Sequence, residues 1–288
     1  MQIPGSPSVI VGVSGTAAGL AAVRLAAREA VARGRELRVV HAFTWPSHDP
    51  GAASLEYAAA RRGAARVVEQ ALTAARRSTP GVHVSGVLVD GLAVRVLLQL
   101  SRSVELVVLG DDELAAAARL PLDSVLLQVV SRAWCPVMVA RGLRPPVGPL
   151  VAAVDGSPAS RLALRYAAAE ARRREVGVEV VHVVERAGGD AEKAGHRVLA
   201  DALTAVPELR GARTRLLTGD PANTLIRASR HARMVIVGPR GQDGATLLGP
   251  VAQQLLRRCA CPTVFVHGTT ADDGWSAGTV PSAGALAT

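Results

Sequence analysis

A chain of 288 residues, nearly half of them apolar and 20% charged, suits two domains of ordinary size, each with its own core. Aromatic residues are only 2%, so those cores must be built from Ala, Val and Leu. The formal charge is +9, but it comes from Arg spread along the chain without stacking aromatics, and no apolar run reaches the ~20 residues of a membrane span. Neither a nucleic acid nor a membrane is therefore expected as a partner. Lys193 is the one lysine and Asn223 the one asparagine, a bias that GC-rich codon usage produces. The first seven residues lack the basic and apolar regions of a secretory signal, so a cytoplasmic location is expected.

From there, short Val-rich runs flanked by Gly, Asp or Pro alternate with long Ala-, Arg- and Leu-rich segments. The runs predict strands near 8–14, 36–42, 82–89, 104–109 and 136–140, buried on both faces of a parallel sheet. The long segments between them read as helices. Their paired arginines, Arg61-Arg62 and Arg76-Arg77, read as solvated helix faces, as does Arg172-Arg173-Arg174 further on. Residues 44–60 read as a Pro- and Gly-containing loop, longer than its counterpart around 185–192. Residues 142–148 form a short linker. Strands then recur near 149–155, 177–184, 212–218, 233–238 and 262–267, and Asp220-Pro221 marks a helix start. Domains of 1–142 and 149–267 follow, with a disordered tail over 268–288. Cys135, Cys259 and Cys261 have neither disulfide-framework nor zinc spacing and read as buried thiols.

The second set of strands repeats the first. Val9-Ile-Val-Gly-Val-Ser-Gly-Thr16 matches Leu150-Val-Ala-Ala-Val-Asp-Gly-Ser157, and Val39-Val-His-Ala-Phe43 matches Val180-Val-His-Val-Val184. Leu106-Val-Val-Leu-Gly110 matches Met234-Val-Ile-Val-Gly238, and Trp134-Cys-Pro-Val-Met-Val139 matches Ala260-Cys-Pro-Thr-Val-Phe265. Four matches in the same order establish a duplication. Each copy reads as β-α-β-α-β-α-β-α-β, the pattern of an α/β fold with a parallel sheet.

The Val-x-x-Asp-Gly-Ser run, the His after the second strand, the Gly-x-Pro-type turn and the late Cys-Pro strand together resemble the universal stress protein family. The resemblance covers nearly all of both copies. It implies two doubly wound, five-stranded sheets of order 3-2-1-4-5, whose fifth strands, near Val137–Ala140 and Thr263–Val266, pair as an intrachain pseudo-dimer. A further homodimer and an unidentified protein partner are implied as well. Many members bind ATP, with Mg, through Gly-x2-Gly-x9-Gly-Ser/Thr. Ligands of such sheets bind at the switch point between strands one and four. Glycines let the backbone approach phosphate, and the helix that follows supplies a positive N-terminal end.

By that resemblance Asp155, Val183, Gly238, Arg240, Gly241, Gly249 and Val251 would line a site in copy two. Only seven residues separate Gly241 from Gly249, and Pro250 replaces the hydroxyl residue, so binding should be weakened by ~1–3 kcal/mol. In copy one Glu113 stands at the second glycine, Asp123-Ser124 replaces Gly-Ser, and Ser14 replaces the acidic residue ending strand one. A carboxylate ~5 Å from a phosphate costs on the order of 3 kcal/mol, so copy one should not bind ATP. Asp111-Asp112-Glu113 reads as an acidic solvated loop before a metal site, and His41 and His182 as structural residues. Gly12-Val-Ser-Gly-Thr lacks the last glycine of a nucleophile elbow. Neither post-strand loop matches the Ser-Gly-Gly-x-Asp-Ser of related ATP α-hydrolases, so no catalytic residues and no enzyme are expected. The rival to nucleotide sensing is a nucleotide-independent interaction protein.

Overall fold

The computed structural model describes residues 7–45, 53–112, 114, 121–142, 147–241 and 247–267; the expected tail and Glu113 lie outside them. The first half carries β1 Val9–Gly12, α1 Ala17–Arg33, β2 Leu37–Phe43, α2 Ala53–Ser78, β3 Val84–Asp90, α3 Ala93–Leu100, β4 Leu106–Leu109, α4 Val125–Arg132 and β5 Val137–Val139. The second carries β6 Leu150–Ala153, α5 Pro158–Arg174, β7 Val178–Val184, α6 Gly189–Ala205, β8 Arg213–Thr218, α7 Pro221–Ser229, β9 Met234–Val237, α8 Pro250–Arg258 and β10 Thr263–Phe265. Every expected strand is present, its ends shifted by two residues at most. The expected loop over 44–60 is shorter than read: Ala53 already opens α2, whose Ala-rich start outweighs the Gly and Pro before it.

The strand order is β3-β2-β1-β4-β5-β10-β9-β6-β7-β8 in one continuous ten-stranded sheet. Each half keeps the order 3-2-1-4-5, and all pairs within a half are parallel. The halves join where β5 and β10 run antiparallel, with Met138 opposite Val264 at the centre. The expected pseudo-dimer is thus closed strand to strand, and each fifth strand covers what would be an open edge of the other.

Alternation along the strands feeds two apolar layers. Val9 and Val11 belong to one cluster with residues of α1, α2, α5 and α6, while Ile10 between them faces a second cluster with α3, α4, α7 and α8. Both clusters run through both halves. The turn after each first strand uses the same device: Gly15 at φ +86° and Gly156 at φ +84°, a conformation that a Cβ would strain. Thr16 and Ser157 then cap α1 and α5, accepting from the amides of Gly19 and Ser160 at 3.1 Å.

A buried charge cluster holds α1 against α5. Glu29 and Arg33 occupy in α1 the places that Glu170 and Arg174 occupy in α5. Arg33 Nη2 lies 3.3 Å from Glu29 and 2.8 Å from Glu170, and Arg174 reaches both Glu29 and Glu170 in the same way. Arg33 also donates to the Tyr166 hydroxyl at 2.8 Å. Glu105, just before β4, adds bonds to Arg33 at 3.1 Å and Arg35 at 2.7 Å. The expectation that Arg172-Arg173-Arg174 is a solvated face holds for the exposed Arg172 and is corrected for Arg173 and Arg174. The side chains of Arg173 and Arg174 are only 23% and 14% exposed, because the last turn of α5 meets its pseudo-symmetric counterpart and not water.

Candidate functional site

In each half the strand order turns back between the parallel first and fourth strands, so the loops at their C-terminal ends diverge and leave a crevice there. In the second half Asp155 follows β6 and Gly238 follows β9. Asp155 Oδ1 accepts from the Ser157 amide at 2.9 Å, which fixes the carboxylate beside the start of α5. A Cβ on Gly241 would lie 3.1 Å from Asp155 Oδ2, and one on Gly249 would lie 3.4 Å from the Gly241 nitrogen and 3.6 Å from Arg240 Cα. Asp155, Arg240, Gly241 and Gly249 are therefore one constellation, drawn from three separate stretches of chain. Val183 on β7 and Val251 in the first turn of α8 are half-buried and pack on the second-face core.

The glycines have different reasons. A Cβ on Gly238 would stand 2.8 Å from Ala159 Cβ and 3.0 Å from the Ala159 carbonyl carbon. The start of α5 itself requires glycine at this position. Gly241 leaves room beside a carboxylate. The Gly249 amide donates to the Pro239 carbonyl at 2.9 Å and closes the turn, while its own carbonyl accepts from Gln253. Pro250 is the first residue of α8 and has no N–H, so Val251 and Ala252 carry the amides that a helix start leaves without an intrahelical acceptor. With the exposed Arg240 they make a donor set suited to an anion.

The first half has a cavity of about 150 Å³ at the equivalent place, lined chiefly by Gly12, Val40, Ala42, Leu97, Leu109 and Leu126. At its polar end Ser14 Oγ donates to Asp112 Oδ2 at 3.0 Å, and Thr16 Oγ1 donates to Asp112 Oδ1. The acidic run is therefore not simply a solvated loop. Asp112 closes on the start of α1, and Asp111 receives Arg141 at 2.8 Å, because donors stand on the elements facing both. No cluster of three metal-ligating side chains occurs among the described residues. Ser124 spends its hydroxyl as the cap of α4, accepting from the Leu127 amide at 3.1 Å.

A model of the universal stress protein family matches residues 7–141 and again 147–267. The chain belongs to the universal stress protein family. Among relatives of the same tandem length, a universal stress protein of Mycobacterium tuberculosis (strain H37Rv) is 32% identical over 294 residues, spanning 91% of this chain and 97% of the relative. One from Mycolicibacterium smegmatis is 29% identical over 286 residues, spanning 90% and 96%. The crystal structure of a universal stress protein from Archaeoglobus fulgidus shares the fold, with a TM-score of 0.68 and 16% identity over 91% of this chain and 97% of that one.

Within this universal stress protein fold the histidines near the ends of the second strands, inside β2 and β7, are structural. His41 Nδ1 donates to the Val13 carbonyl at 2.7 Å and His182 Nδ1 to the Val154 carbonyl at 2.8 Å. All three cysteines are buried free thiols. Burial pushes the Cys135 thiol up to about 12, whereas Cys259, hydrogen-bonded by Cys261 with the sulfurs 4.0 Å apart, is drawn down to about 6. Sequence reading missed Arg141 and His267, the matching residues that follow the two fifth strands. Arg141 donates to the Leu256 carbonyl of α8, and His267 faces the Val130 backbone of α4, each reaching into the opposite half. Burial, with Arg240 adding to it, lowers His267 to about 4. Their shared place in the repeat was visible; their reach across the junction was not.

Proposed function

We propose that the protein is a cytoplasmic stress-response regulator that binds an adenine nucleotide weakly, in its second half alone, and signals through a protein partner. One observation supports the reading: Gly241 lies against the Asp155 carboxylate and Gly249 against the backbone of Arg240, which brings an acidic and a basic residue together after the first and fourth strands. Asp155 is an acceptor suited to the hydroxyl and amino donors of a nucleoside. Arg240 and the first amides of α8 are donors suited to phosphate. Mg would arrive on the phosphates, which supply most of its non-water ligands in such sites. The missing N–H of Pro250 and the internally bonded amide of Gly249 account for weakness, and they favour the rival reading of a nucleotide-independent interaction protein.

The test is calorimetric titration of the full chain with Mg-ATP. The expected result is binding near one equivalent, lost in Arg240→Glu and tightened severalfold in Pro250→Ser. Absence of heat, with no nucleotide released on denaturing the protein, sinks the reading and turns the search to protein partners. Arg240 is exposed, so its reversal leaves the core untouched. A Gly238→Val variant is unsuitable, because the new side chain meets Ala159 before it meets any ligand.

A further inference from the structure

The crevice of the first half has kept its space and lost its use for an anion. Its walls are aliphatic, and among the described residues Asp112 is the one acidic or basic side chain lining it. That carboxylate takes hydroxyl donors from both Ser14 and Thr16 at the start of α1, where a bound anion would otherwise find them. Thr16 Oγ1 in turn accepts from the Gly19 amide, so the internal anion is wired to the helix itself. Two wall positions also carry smaller residues than their counterparts in the second half: Gly12 against Ala153, and Ala42 against Val183. A Cβ on Gly12 would come within 2.8 Å of Leu109 Cδ2 and 3.3 Å of Leu97, so the glycine lets these two leucines pack down as wall of the space.

We infer that this cavity is a binding site for a small, uncharged, ring-shaped hydrophobic compound of one or two rings, and that Asp112 acts as a built-in anion that bars negatively charged ligands. Its volume of about 150 Å³ is of the size that holds a benzene-like guest when the walls are apolar. Such a guest gains burial against Val40, Leu97, Leu109 and Leu126, and leaves the Ser14–Thr16–Asp112 bonds intact. An anionic guest of the same shape meets a carboxylate whose donors are already committed. The inference is independent of nucleotide in the second half, since the two crevices share no lining residue.

The experiment titrates the full chain by calorimetry with indole and with indole-3-carboxylate, the same ring with and without charge. Indole is expected to bind with one-to-one saturation, and the carboxylate about a hundredfold more weakly. Ala42→Leu and, independently, Ala93→Leu place bulk in the cavity and should each abolish indole binding. Asp112→Asn keeps an acceptor oxygen for one of the two hydroxyls and offers its amide N–H to the other while removing the charge, and should bring the carboxylate to within a few-fold of indole. Loss of indole binding in a plugged variant that retains its unfolding transition supports the site. No heat with indole, or binding in both plugged variants as tight as in the parent chain, overturns it. Continued exclusion of the carboxylate by Asp112→Asn overturns the role of Asp112. None of these outcomes depends on ATP binding, which Arg240→Glu tests separately.

Discussion

In the first half a hydroxyl, Ser14, follows strand one and a carboxylate, Asp112, faces it from the stretch after β4; in the second half a carboxylate, Asp155, follows the strand and a guanidinium, Arg240, stands after β9. Asp112 and Arg240 each lie two residues past the glycine that closes the fourth strand. One exchange of side chains has made the first crevice internally satisfied and left the second with a cation at the surface. The junction between the halves shows the opposite history, because Glu29 and Arg33 are matched position for position by Glu170 and Arg174. The duplicated chain holds its shared face fixed where each half needs the other. Its crevices differ because nothing in the packing requires them to match.

The largest expected effect comes from breaking the matched face. Glu29→Ala strips one carboxylate from the buried Arg33 and the half-buried Arg174, and should cost about 3 kcal/mol. Urea unfolding should show one transition at a lower midpoint, since both halves lean on the cluster. Two transitions with one midpoint unchanged would show that the halves are stable separately. The same cluster sets a pH dependence. Burial alone would raise the Glu170 pKa, but Arg33, Arg174 and Arg173 outweigh it and hold it below its ordinary value of 4.5. The folded state thus binds this proton later than the unfolded chain does. The contribution is full above about pH 4.5 and is lost as pH falls through the lowered value. Glu170→Gln should flatten the urea midpoint against pH in that acid range, and an unchanged acid slope would remove Glu170 from the account.

A middle effect asks whether the fourth-strand glycines answer to ligand or to packing. A Cβ on Gly110 would stand 3.0 Å from the Ala18 carbonyl carbon and oxygen, and one on Gly238 would stand 2.8 Å from Ala159 Cβ. Gly110→Val and Gly238→Val should therefore each destabilise by about 1–3 kcal/mol without any ligand present. A loss confined to Gly238→Val would mean that the two helix starts do not approach their strands equally.

Most of the fold was legible because its signals are local or repeated. Val-rich runs between Gly, Asp and Pro give buried strands wherever they fall, and the four matched segments fixed both halves at once. The pairing of β5 with β10 followed from the family resemblance alone. What composition could not show is which arginines are buried: Arg33 and Arg174 look like any basic last turn until α1 and α5 are set face to face. Asp112 is a similar case. An acidic residue in a polar loop reads as solvated, and only the three-dimensional approach of Ser14 and Thr16 turns it into an internal anion. The glycine motif was legible as spacing but not as mechanism, since Gly238 answers to Ala159, Gly241 to Asp155 and Gly249 to its own turn.

The smallest expected effect compares the two helices that open beside the crevices. Ser124 caps α4 with its side chain, whereas Gly249 stands at the same cap of α8 with none. Its backbone, at φ −64° and ψ 156°, is one that serine adopts freely, and a Cβ there meets neighbours only at ordinary contact distances of 3.4–3.7 Å. Ser124→Ala should lower stability by about 1 kcal/mol, while Gly249→Ser should raise it by only a few tenths, because glycine is already a fair cap. Thermal melts of the two variants against the parent chain decide the matter. Opposite signs with the larger change in Ser124→Ala would show that α8 starts on less support than α4. A loss in Gly249→Ser would show instead that the turn through Pro239 and Gly249 has no tolerance for a side chain, and that its tightness, not the missing cap, sets the geometry of the second crevice.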